Sequence, residues 1–325
     1  MAPYPRTAAF RYSLFVALQR VWYRCEALIA VAFRVLPRLL NLVIFRTLAK
    51  RYGVVSVVTD GAFGRIAGSP MDIAMFGEYL TTHTYSPMTL QAILDFFRDN
   101  GSKGTFIDIG GHVGLMSIPV SQSGDIRCLT FEPDARNFSF LRENIDRCGV
   151  AGKVAPHELA LFDRATTVEF EISDWHHGDH RIRNTQGVAA EVLRYAPYRE
   201  DVRQVVTVRT VRLDDVVDAD SLPQPIVVKI DTQGAETHIL RGGEATLSRA
   251  SLLVTEYCPY MIRRMGGDPM VLLDFLHRHF RRGFVHAQHN RGEPVVLEDI
   301  ERTVAFLDAF TARAKLDFVD VIAVK

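Results

Sequence analysis

Short apolar runs alternate with longer amphipathic segments along most of this 325-residue chain. Apolar runs bounded by turn residues predict buried strands, and apolar positions three or four residues apart predict helices. The predicted strands lie at 105–109, 126–131, 154–161, 226–230 and 252–255, and two closing strands lie at 284–287 and 318–324. Strands that alternate with helices over roughly 220 residues predict a doubly wound α/β sheet.

Two further segments alternate apolar and polar residues, as half-exposed strands do. They lie at 167–172 and 204–211, and we expect them to form added antiparallel strands. The segment between them, 173–203, is polar and rich in His and Arg. Segments of this length in compact domains are usually either functional or disordered, so its side chains are candidates for a site.

Three histidines and two carboxylates fall within seven residues at 174–180, which raises the question of a metal site. The His-His-x-x-His spacing is not the helical spacing of zinc metalloproteases, and no cysteine lies nearby. We therefore predict no metal ion here and expect a polar loop that faces the substrate. Trp175 would stack on the apolar face of a sugar, and the histidines would hydrogen-bond its hydroxyls.

The strongest chemical signal is a glycine-rich turn after the strand at 105–109. Asp108 lies at the carboxyl end of this strand within the sequence TFIDIGGHVGLMSIPVS, and its turn contains Gly110, Gly111 and Gly114. Glycines let backbone approach a ligand, and a helix beginning near Val113 would direct free N–H groups at it. Cofactors bind at this corner of open parallel sheets, although a plain strand-to-helix connection remains the alternative.

A second acid indicates what kind of ligand this corner binds. Glu132 ends the strand at 126–131 and lies 22 residues after Gly110, close to the spacing of an acid that binds ribose hydroxyls. We therefore expect a nucleoside-bearing cofactor. The G-x-G-x-x-G fingerprint of nicotinamide cofactors fails, because Ile109 occupies the position of its first glycine.

Four motifs give a specific resemblance. The segments FIDIGGHVGLMS, FEPDARNFSFLRENI, LDDVV and VVKIDTQGAETHILRGG follow one another in the order and spacing of the FkbM family of methyltransferases. The resemblance covers about residues 53–257 and leaves residues 1–52 outside it. It implies a Rossmann-like class I fold, S-adenosylmethionine as cofactor, and methyl transfer to a hydroxyl of a sugar, a glycolipid or a secondary metabolite.

By position, the resemblance also implies a set of cofactor-binding residues, which are Asp108, Gly110, Gly111, His112, Gly114, Glu132 and Asp163. Glu132 matches the acid at the adenosine ribose, and Asp163 matches the acidic position near the adenine. The family commonly has Ala-Asn where this chain has Gly111-His112. His112 can still donate a hydrogen bond to the carboxylate of the cofactor.

The methyl acceptor needs help from the protein, because a sugar hydroxyl has a pKa far above 7. The candidate bases are Asp231, then Glu236 and His238, since Asp231 follows the strand at 226–230 and begins a match to the family's D-x-E-G-x-E motif. Gln233 replaces a glutamate of that motif and cannot act as a base. Alternatively, Asp231 only orients substrate or caps the following helix.

The amino-acid composition of the chain favours some classes of protein function over others. With 48% apolar and 23% charged residues the chain is globular, and its net charge of zero disfavours a nucleic-acid partner. Four scattered cysteines are typical of reduced thiols in the cytoplasm. A non-catalytic scaffold and a nicotinamide-dependent enzyme remain alternatives. Intact Asp108, Glu132 and Asp231 disfavour the scaffold, and Ile109 disfavours the nicotinamide enzyme.

Positive charge is concentrated at the amino end. Residues 1–52 contain nine Lys or Arg and one acid, for a net charge of +8. Residues 13–36 predict an apolar helix with an arginine stripe, which Pro37 interrupts before the helix resumes at 39–48. The segment has no uncharged run of 18 residues and no cleavage site, so it predicts neither a transmembrane span nor a secretory signal.

Two roles for this extension remain open. It packs on the catalytic domain or on a second subunit, which would make a homo-oligomer, or residues 1–50 bind peripherally to the inner face of an anionic membrane. The predicted organisation is an extension at 1–52, a lead-in strand and helix at 53–104, and a methyltransferase domain at 105–325. We expect the protein to be cytoplasmic.

Overall fold

The computed structural model describes residues 38–173, 176–184, 203–286, 295–297, 299–314 and 316–325. The chain divides into two compact units, Met1–Gly53 and Val54–Lys325. In the first unit, helix α1 (Arg38–Arg51) corresponds to the helix expected at 39–48, and the helix expected at 13–36 lies outside the described residues. None of the helices in the described part is long and apolar enough to cross a membrane.

The second unit begins with a hairpin and two helices. These elements are β1 (Val57–Gly61), β2 (Gly64–Gly68), α2 (Met75–Thr82) and α3 (Pro87–Asp99). Pro87 opens α3, at a position where its missing N–H costs no hydrogen bond. The helix buries Leu90, Ile93 and Phe97, which recur every three or four residues and so share one face.

Three strands with intervening helices then begin the main sheet. In chain order they are β3 (Lys103–Ile109), α4 (Ser117–Gln122), β4 (Asp125–Phe131), α5 (Ala135–Arg147) and β5 (Val154–His157). The helix expected near Val113 begins instead at Ser117, because His112 and Gly114 have positive φ angles of 51° and 93°, which an α-helix does not allow. This start leaves Pro119 in the first turn, where no N–H is needed.

A smaller sheet follows β5. Its strands are β6 (Ala160–Leu161), β7 (Thr166–Ile172), β8 (Arg181–Ile182) and β9 (Gln204–Val211), in the spatial order β6-β9-β7-β8. β7 and β9 are antiparallel, as predicted. The single strand expected at 154–161 is wrong, because the chain leaves the main sheet after His157 and Ala160–Leu161 pairs with β9 instead.

The remaining elements complete the main sheet. In chain order they are α6 (Leu213–Val216), β10 (Ile226–Ile230), α7 (Glu236–Gly242), α8 (Glu244–Leu247), β11 (Leu252–Tyr257), α9 (Pro259–Arg264), α10 (Pro269–His279), β12 (Arg282–His286), β13 (Val295–Leu297), α11 (Ile300–Arg313) and β14 (Val319–Val324). Asp268 and Asp299 cap the amino ends of α10 and α11 by accepting hydrogen bonds from backbone N–H groups.

Among the described residues, eight strands form the main sheet in the order β13-β12-β14-β11-β10-β3-β4-β5. The five strands from β11 to β5 are parallel, and β14, β12 and β13 are antiparallel to their neighbours. Apolar side chains pack on both faces, so Val227 belongs to one core layer while Val228 and Ile230 belong to the other. The predicted doubly wound, Rossmann-like fold of the class I type is confirmed.

Candidate active site

The candidate site lies where the order of strands reverses. β3 and β10 are parallel neighbours, and the chain proceeds from them in opposite directions along the sheet. Ligands of open α/β sheets bind in the crevice that such a reversal leaves at the carboxyl ends of the strands. Here that crevice holds an open cavity with about 610 Å³ of empty space, counting the part open to solvent.

The turn after β3 packs so closely against its neighbours that it needs glycine. Gly110 has a φ of 85°, and a Cβ on it would lie 2.1 Å from the carbonyl oxygen of Asp231. A Cβ on Gly111 would lie 2.1 Å from Cγ2 of Thr130 on β4. Gly114 donates its N–H to the carbonyl of Gly111 at 2.9 Å and so closes the turn. The turn therefore brings bare backbone to the edge of the cavity.

Glu132 lines the cavity at the end of β4 and ties the glycine turn to that strand. One carboxylate oxygen accepts the N–H of His112 at 2.8 Å, and the other accepts the N–H of Asp134 at 2.9 Å. The side chain is buried, and burial raises the pKa of Glu132 to about 7, although the charge of His112 acts in the opposite direction. A ligand that hydrogen-bonds this carboxylate would favour its ionised form.

Apolar side chains form another wall of the cavity. They come from the end of β4, from the β5–β6 connection and from the smaller sheet, and they are Phe131, Leu159, Ala160, Leu161, Phe170 and Ile182. Sites for flat aromatic ligand groups have this character, with a few polar groups that fix orientation. The smaller sheet therefore contributes side chains to the wall of the cavity.

Asp108, which the glycine motif places at the cofactor, does not line this cavity. It is fully buried, its Oδ2 accepts a hydrogen bond from Ser117 Oγ at 2.6 Å, and its Oδ1 lies 3.6 Å from Nζ of Lys229. Burial raises the pKa of Asp108 even though Lys229 and Ser117 favour its charged form. Its contacts are thus with the protein beneath the turn.

Asp231 follows β10 and lines the cavity. Its carboxylate lies 3.5 Å from Nζ of Lys229 and accepts a hydrogen bond from Nε2 of Gln233 at 3.2 Å. The same residue also borders a second, smaller cleft with about 310 Å³ of empty space, again counting the open part. Asp231 therefore faces two neighbouring concave surfaces.

The smaller cleft is polar. It is lined by side chains from α3, from the connection before it and from the ends of β10, β11 and β14, among them Tyr85, Thr89, Lys229, Glu256 and Asp320. Nε2 of Gln233 lies 3.4 Å from Oε1 of Glu256 and so links this carboxylate to Asp231. Burial raises the pKa of Glu256 well above its usual value, and the charges of Asp231, Glu236 and Asp320 act in the same direction.

Glu236 and His238, the other candidate bases, lie in α7 and contact the protein itself. The Glu236 carboxylate accepts the N–H groups of Thr232 and Gly234 at 3.2 and 3.1 Å, which caps the turn before the helix. His238 Nδ1 lies 2.6 Å from Oδ2 of Asp163, and its ring stacks on Phe162. Asp163, expected near the adenine, thus pairs with a histidine, and none of these three side chains is among those that line the cavity.

A buried pair of side chains, His112 and Asp72, joins the glycine turn to the lead-in segment. His112 lines the cavity, and its Nε2 lies 3.2 Å from Oδ2 of Asp72. Asp72 also accepts the N–H groups of Phe76 and His177 at 3.0 and 3.4 Å. Although burial opposes ionisation, the hydrogen bond and charge of His112 hold the pKa of Asp72 well below its usual range.

The polar loop also reaches the cavity. His177 and His180 line it, whereas Asp174 and Trp175 lie outside the described residues. Burial lowers the pKa of His177 to about 4 and the pKa of His180 well below its usual value, so both rings are neutral near pH 7. Within the described parts of the chain, no group of three His, Cys, Asp or Glu side chains is arranged to hold a metal ion.

Sequence reasoning missed Asp72, Lys229, Glu256 and Asp320. Asp72 lies in a short connection without periodicity, 40 residues before His112. Lys229 lies within the apolar strand β10, whose sequence pattern predicts a buried strand and does not mark the lysine as a site residue. Glu256 carried a usable signal, because it ends the predicted strand at 252–255, at the same sheet edge as Asp231.

A family model described as the Methyltransferase FkbM domain matches residues 108–286. Hexuronic acid methyltransferase AglP of Haloferax volcanii is 27% identical over 150 residues, which cover 46% of this chain and 54% of that protein. The 2-O-methyltransferase NoeI of Sinorhizobium fredii is 30% identical over 129 residues, which cover 39% of this chain and 51% of that protein. The chain spans about half the length of these curated relatives.

Among solved structures, the methyltransferase FkbM from Methylobacillus flagellatus is similar with a TM-score of 0.39 and 15% identity. That similarity covers 70% of this chain and 46% of that one. A putative O-methyltransferase from Klebsiella pneumoniae is similar with a TM-score of 0.35 and 15% identity, over 75% of this chain and 82% of that one.

Proposed function

The chain belongs to the FkbM methyltransferase family, and we propose that it transfers a methyl group from S-adenosylmethionine to a hydroxyl of a sugar, a glycolipid or a secondary metabolite. Asp231 carries this proposal, because it borders both the cavity and the smaller cleft. A methyl group that passes from a cofactor in the cavity to an acceptor in the cleft would do so beside its carboxylate. The names of two relatives, a hexuronic acid methyltransferase and a 2-O-methyltransferase, support a sugar-type acceptor.

The residues of the cavity fit the chemical groups of S-adenosylmethionine. Each oxygen of Glu132 accepts one backbone hydrogen bond, which leaves acceptor capacity for the two ribose hydroxyls. The apolar wall around Leu159 and Phe170 suits the adenine ring. Asp108 would support the cofactor site from beneath, because it fixes the glycine turn through its hydrogen bond with Ser117. Asp163 would support the site by holding His238.

The protein's contribution to the reaction is position and proton removal. When bound, S-adenosylmethionine would supply a methyl group bonded to a positively charged sulfur, and an oxygen nucleophile would take this methyl carbon as its bond to sulfur breaks, which leaves S-adenosylhomocysteine. The acceptor hydroxyl would lie in the smaller cleft and lose its proton to Asp231 as its oxygen bonds to the methyl carbon. Lys229 and Gln233 hold the carboxylate in place for this step, at 3.5 and 3.2 Å.

Glu236 and His238 fit the role of base less well than Asp231. Glu236 is 2% exposed and its carboxylate is committed to the turn that precedes α7. His238 is held between Asp163 and the carbonyl of Met265. We therefore propose that these two side chains support the segment that carries Asp231.

Binding and turnover measurements test this function. We expect calorimetry to detect S-adenosylhomocysteine but not NAD, and we expect radiolabelled methyl transfer to some member of a panel of nucleotide sugars, glycolipids and oligosaccharides. Asp60→Asn, at a side chain that is 85% exposed, serves as a matched control for Asp231→Asn. Binding without transfer to any acceptor would favour a scaffold, and binding of NAD alone would refute the proposal.

For residues 1–52 we propose an extension that is separate from the methyltransferase domain at 105–325, with 53–104 as the lead-in. Its net charge of +8 supports peripheral binding at the inner face of a membrane, where a glycolipid acceptor would be located. The alternative is an arm that packs on a second subunit of a homo-oligomer. We propose that the transfer reaction takes place in the cytoplasm.

A further inference from the structure

His180 presents the cavity with a hydrogen-bond donor. It lies immediately before β8 and lines the cavity together with Phe170 and Ile182, which belong to the apolar wall. On the basis of the proposed function, we propose that His180 donates a hydrogen bond from Nε2 to a ring nitrogen of the adenine of S-adenosylmethionine. His180 is then a specificity-determining residue for the cofactor, whereas the sequence pattern assigned the histidines of this loop to the sugar acceptor.

The proton of the His180 ring is on Nε2. The N–H of Ser173 donates a hydrogen bond to Nδ1 at 3.0 Å, so Nδ1 is the unprotonated nitrogen. Burial lowers the pKa of His180 well below its usual value, so the ring is neutral near pH 7 and carries a single proton. The hydrogen bond at one nitrogen therefore fixes the proton on the other, and Nε2 is a donor.

The Nε2–H group has no acceptor in the part of the chain that the structure describes. Nε2 lies 4.0 Å from Oδ1 of Asp134, which is too long for a hydrogen bond. That oxygen accepts the N–H of Asn137 at 2.8 Å and caps α5. The His180 side chain is only 5% exposed. Because buried donors are normally paired, a donor left over at a cavity wall indicates an acceptor on a ligand.

The neighbours of His180 favour a flat ligand group. Phe170 and Ile182 are cross-strand partners on β7 and β8, and the rings of Phe170 and His180 lie edge to face with 6.2 Å between their centroids. The nitrogens of adenine accept hydrogen bonds in the plane of the ring, while the faces of the ring are apolar. A donor that borders an apolar wall can therefore bind the edge of the base while the wall contacts its faces.

The acidic side chains of the site do not suit the ring nitrogens of adenine. An ionised carboxylate only accepts hydrogen bonds, so Glu132 suits the ribose hydroxyls, which can donate, and not a ring nitrogen, which accepts. Asp163, which the resemblance assigned to the adenine, is paired with His238 and does not line the cavity. A neutral N–H donor supplies the chemistry that these carboxylates lack, and His180 has one.

Deaza analogues of S-adenosylhomocysteine test this assignment, because each has CH in place of one of the adenine nitrogens N1, N3 and N7. With the wild type, we expect calorimetry to show one of these analogues binding about 3- to 10-fold more weakly than S-adenosylhomocysteine, as for loss of one neutral hydrogen bond. His180→Asn should weaken S-adenosylhomocysteine by a similar factor. The same variant should bind that one analogue within about 2-fold of the wild type, because the lost contact is the same in both changes.

Two amide variants separate the two nitrogens of the ring. The amide of asparagine overlies Nδ1 of histidine, so His180→Asn keeps an acceptor for the N–H of Ser173 and lacks the donor at Nε2. The amide of glutamine overlies Nε2, so His180→Gln offers an N–H group to the ligand and gives up the bond to Ser173. We expect His180→Gln to bind S-adenosylhomocysteine more tightly than His180→Asn, whereas a purely structural role of His180 predicts the opposite order.

Nitrogen NMR of the ligand-free protein reads the tautomer directly. The signals of the His180 ring are those that disappear in His180→Asn. We expect Nε2 to carry the proton and Nδ1 to carry none near pH 7. A proton on Nδ1 would overturn the inference, whatever the ligands do.

His279→Asn is the matched control, since His279 lies on α10, does not line the cavity and should leave every affinity unchanged. Thermal unfolding of each variant checks that it is folded. Equal weakening of all the ligands by His180→Asn, or a wild type that binds all three analogues as tightly as S-adenosylhomocysteine, would overturn the inference and leave the proposed function standing. A wild type that binds none of these ligands would overturn the proposed function as well.

Discussion

Glu132→Gln is the substitution that most directly tests the cofactor site, because this side chain serves both the fold and the proposed ribose contact. Its two oxygens accept the N–H groups of His112 and Asp134. Glutamine keeps one oxygen and presents an amide N–H₂ to the other backbone donor. One buried donor then loses its acceptor, which costs about 1–3 kcal/mol of folding free energy.

The pH dependence of folding stability gives a second quantity by which to judge this substitution. Burial raises the pKa of Glu132 from 4.5 to about 7, so ionisation within the fold costs on the order of 3 kcal/mol. Because the folded state binds this proton more tightly than the unfolded state, the contribution is fully present below pH 4.5 and is lost as pH rises through about 7. Glutamine has no such proton, and its contribution does not change with pH.

We therefore expect Glu132→Gln to be less stable than the wild type at pH 4.5, and the gap to narrow by up to about 3 kcal/mol at pH 8. Urea unfolding at several pH values measures this difference. At pH 8, calorimetry should show S-adenosylhomocysteine binding weakened by about 1.5–3 kcal/mol, roughly 10- to 150-fold, because the neutral amide replaces a carboxylate at the ribose.

Glu169→Gln provides a matched control on β7, since the Glu169 side chain is 64% exposed and pairs with Arg183 at the surface. It should change neither the affinity nor the pH profile by more than the error. An unchanged affinity in Glu132→Gln would mean that the ribose lies elsewhere. A stability gap that does not vary with pH would mean that burial does not raise the pKa of Glu132.

Three further changes test other parts of the molecule. Asp231→Asn should keep S-adenosylhomocysteine affinity within about 3-fold and lower kcat about 100-fold or more in steady-state assays; loss of binding would instead assign Asp231 to the cofactor. Gly110→Ala places a Cβ 2.1 Å from a carbonyl oxygen and should abolish binding and lower the melting temperature. Gly149→Ala, also at positive φ but with no atom within 4 Å, should cost only about 1–2 kcal/mol. Full-length protein should pellet with anionic liposomes at low salt, at about 1 kcal/mol per Lys or Arg near the surface, and deletion of residues 1–50 should abolish this. A dimer that stays in the supernatant and becomes monomeric on deletion would make the extension an oligomerisation arm.

The sequence predicts the centre of the fold well for a physical reason. Strands buried on both faces, such as β3 and β10, appear as continuous apolar runs, and the residues that end them must lie at one edge of a parallel sheet. The strand pattern alone therefore places Glu132 and Asp231 at the same edge of the sheet. Both side chains line the cavity at that edge.

Other features depend on contacts that no local pattern encodes. Asp72 meets His112 only because the lead-in segment packs over the glycine turn. His238 and Asp163 look like site residues at a sheet edge, yet Nδ1 of His238 lies 2.6 Å from Oδ2 of Asp163 and the two side chains pair with each other. The start of α4 depends on the φ angles of His112 and Gly114, and positive φ at a histidine has no signature in a sequence.

Lys229 explains why two acids at the same edge of the sheet have different surroundings. β3 and β10 pair so that Lys229 lies opposite Asp108, and Asp231 follows two residues later on the same face. The ammonium lies 3.6 Å from Asp108 and 3.5 Å from Asp231, and although burial opposes it, these carboxylates raise the pKa of Lys229. Asp108 is enclosed on the inner side of this cation, beneath the turn, while Asp231 lies beyond it at the cavity. A single lysine within an apolar strand therefore links the buried Asp108 to the partly buried Asp231, and Asp231→Asn also removes one of the charges that raise the pKa of Lys229.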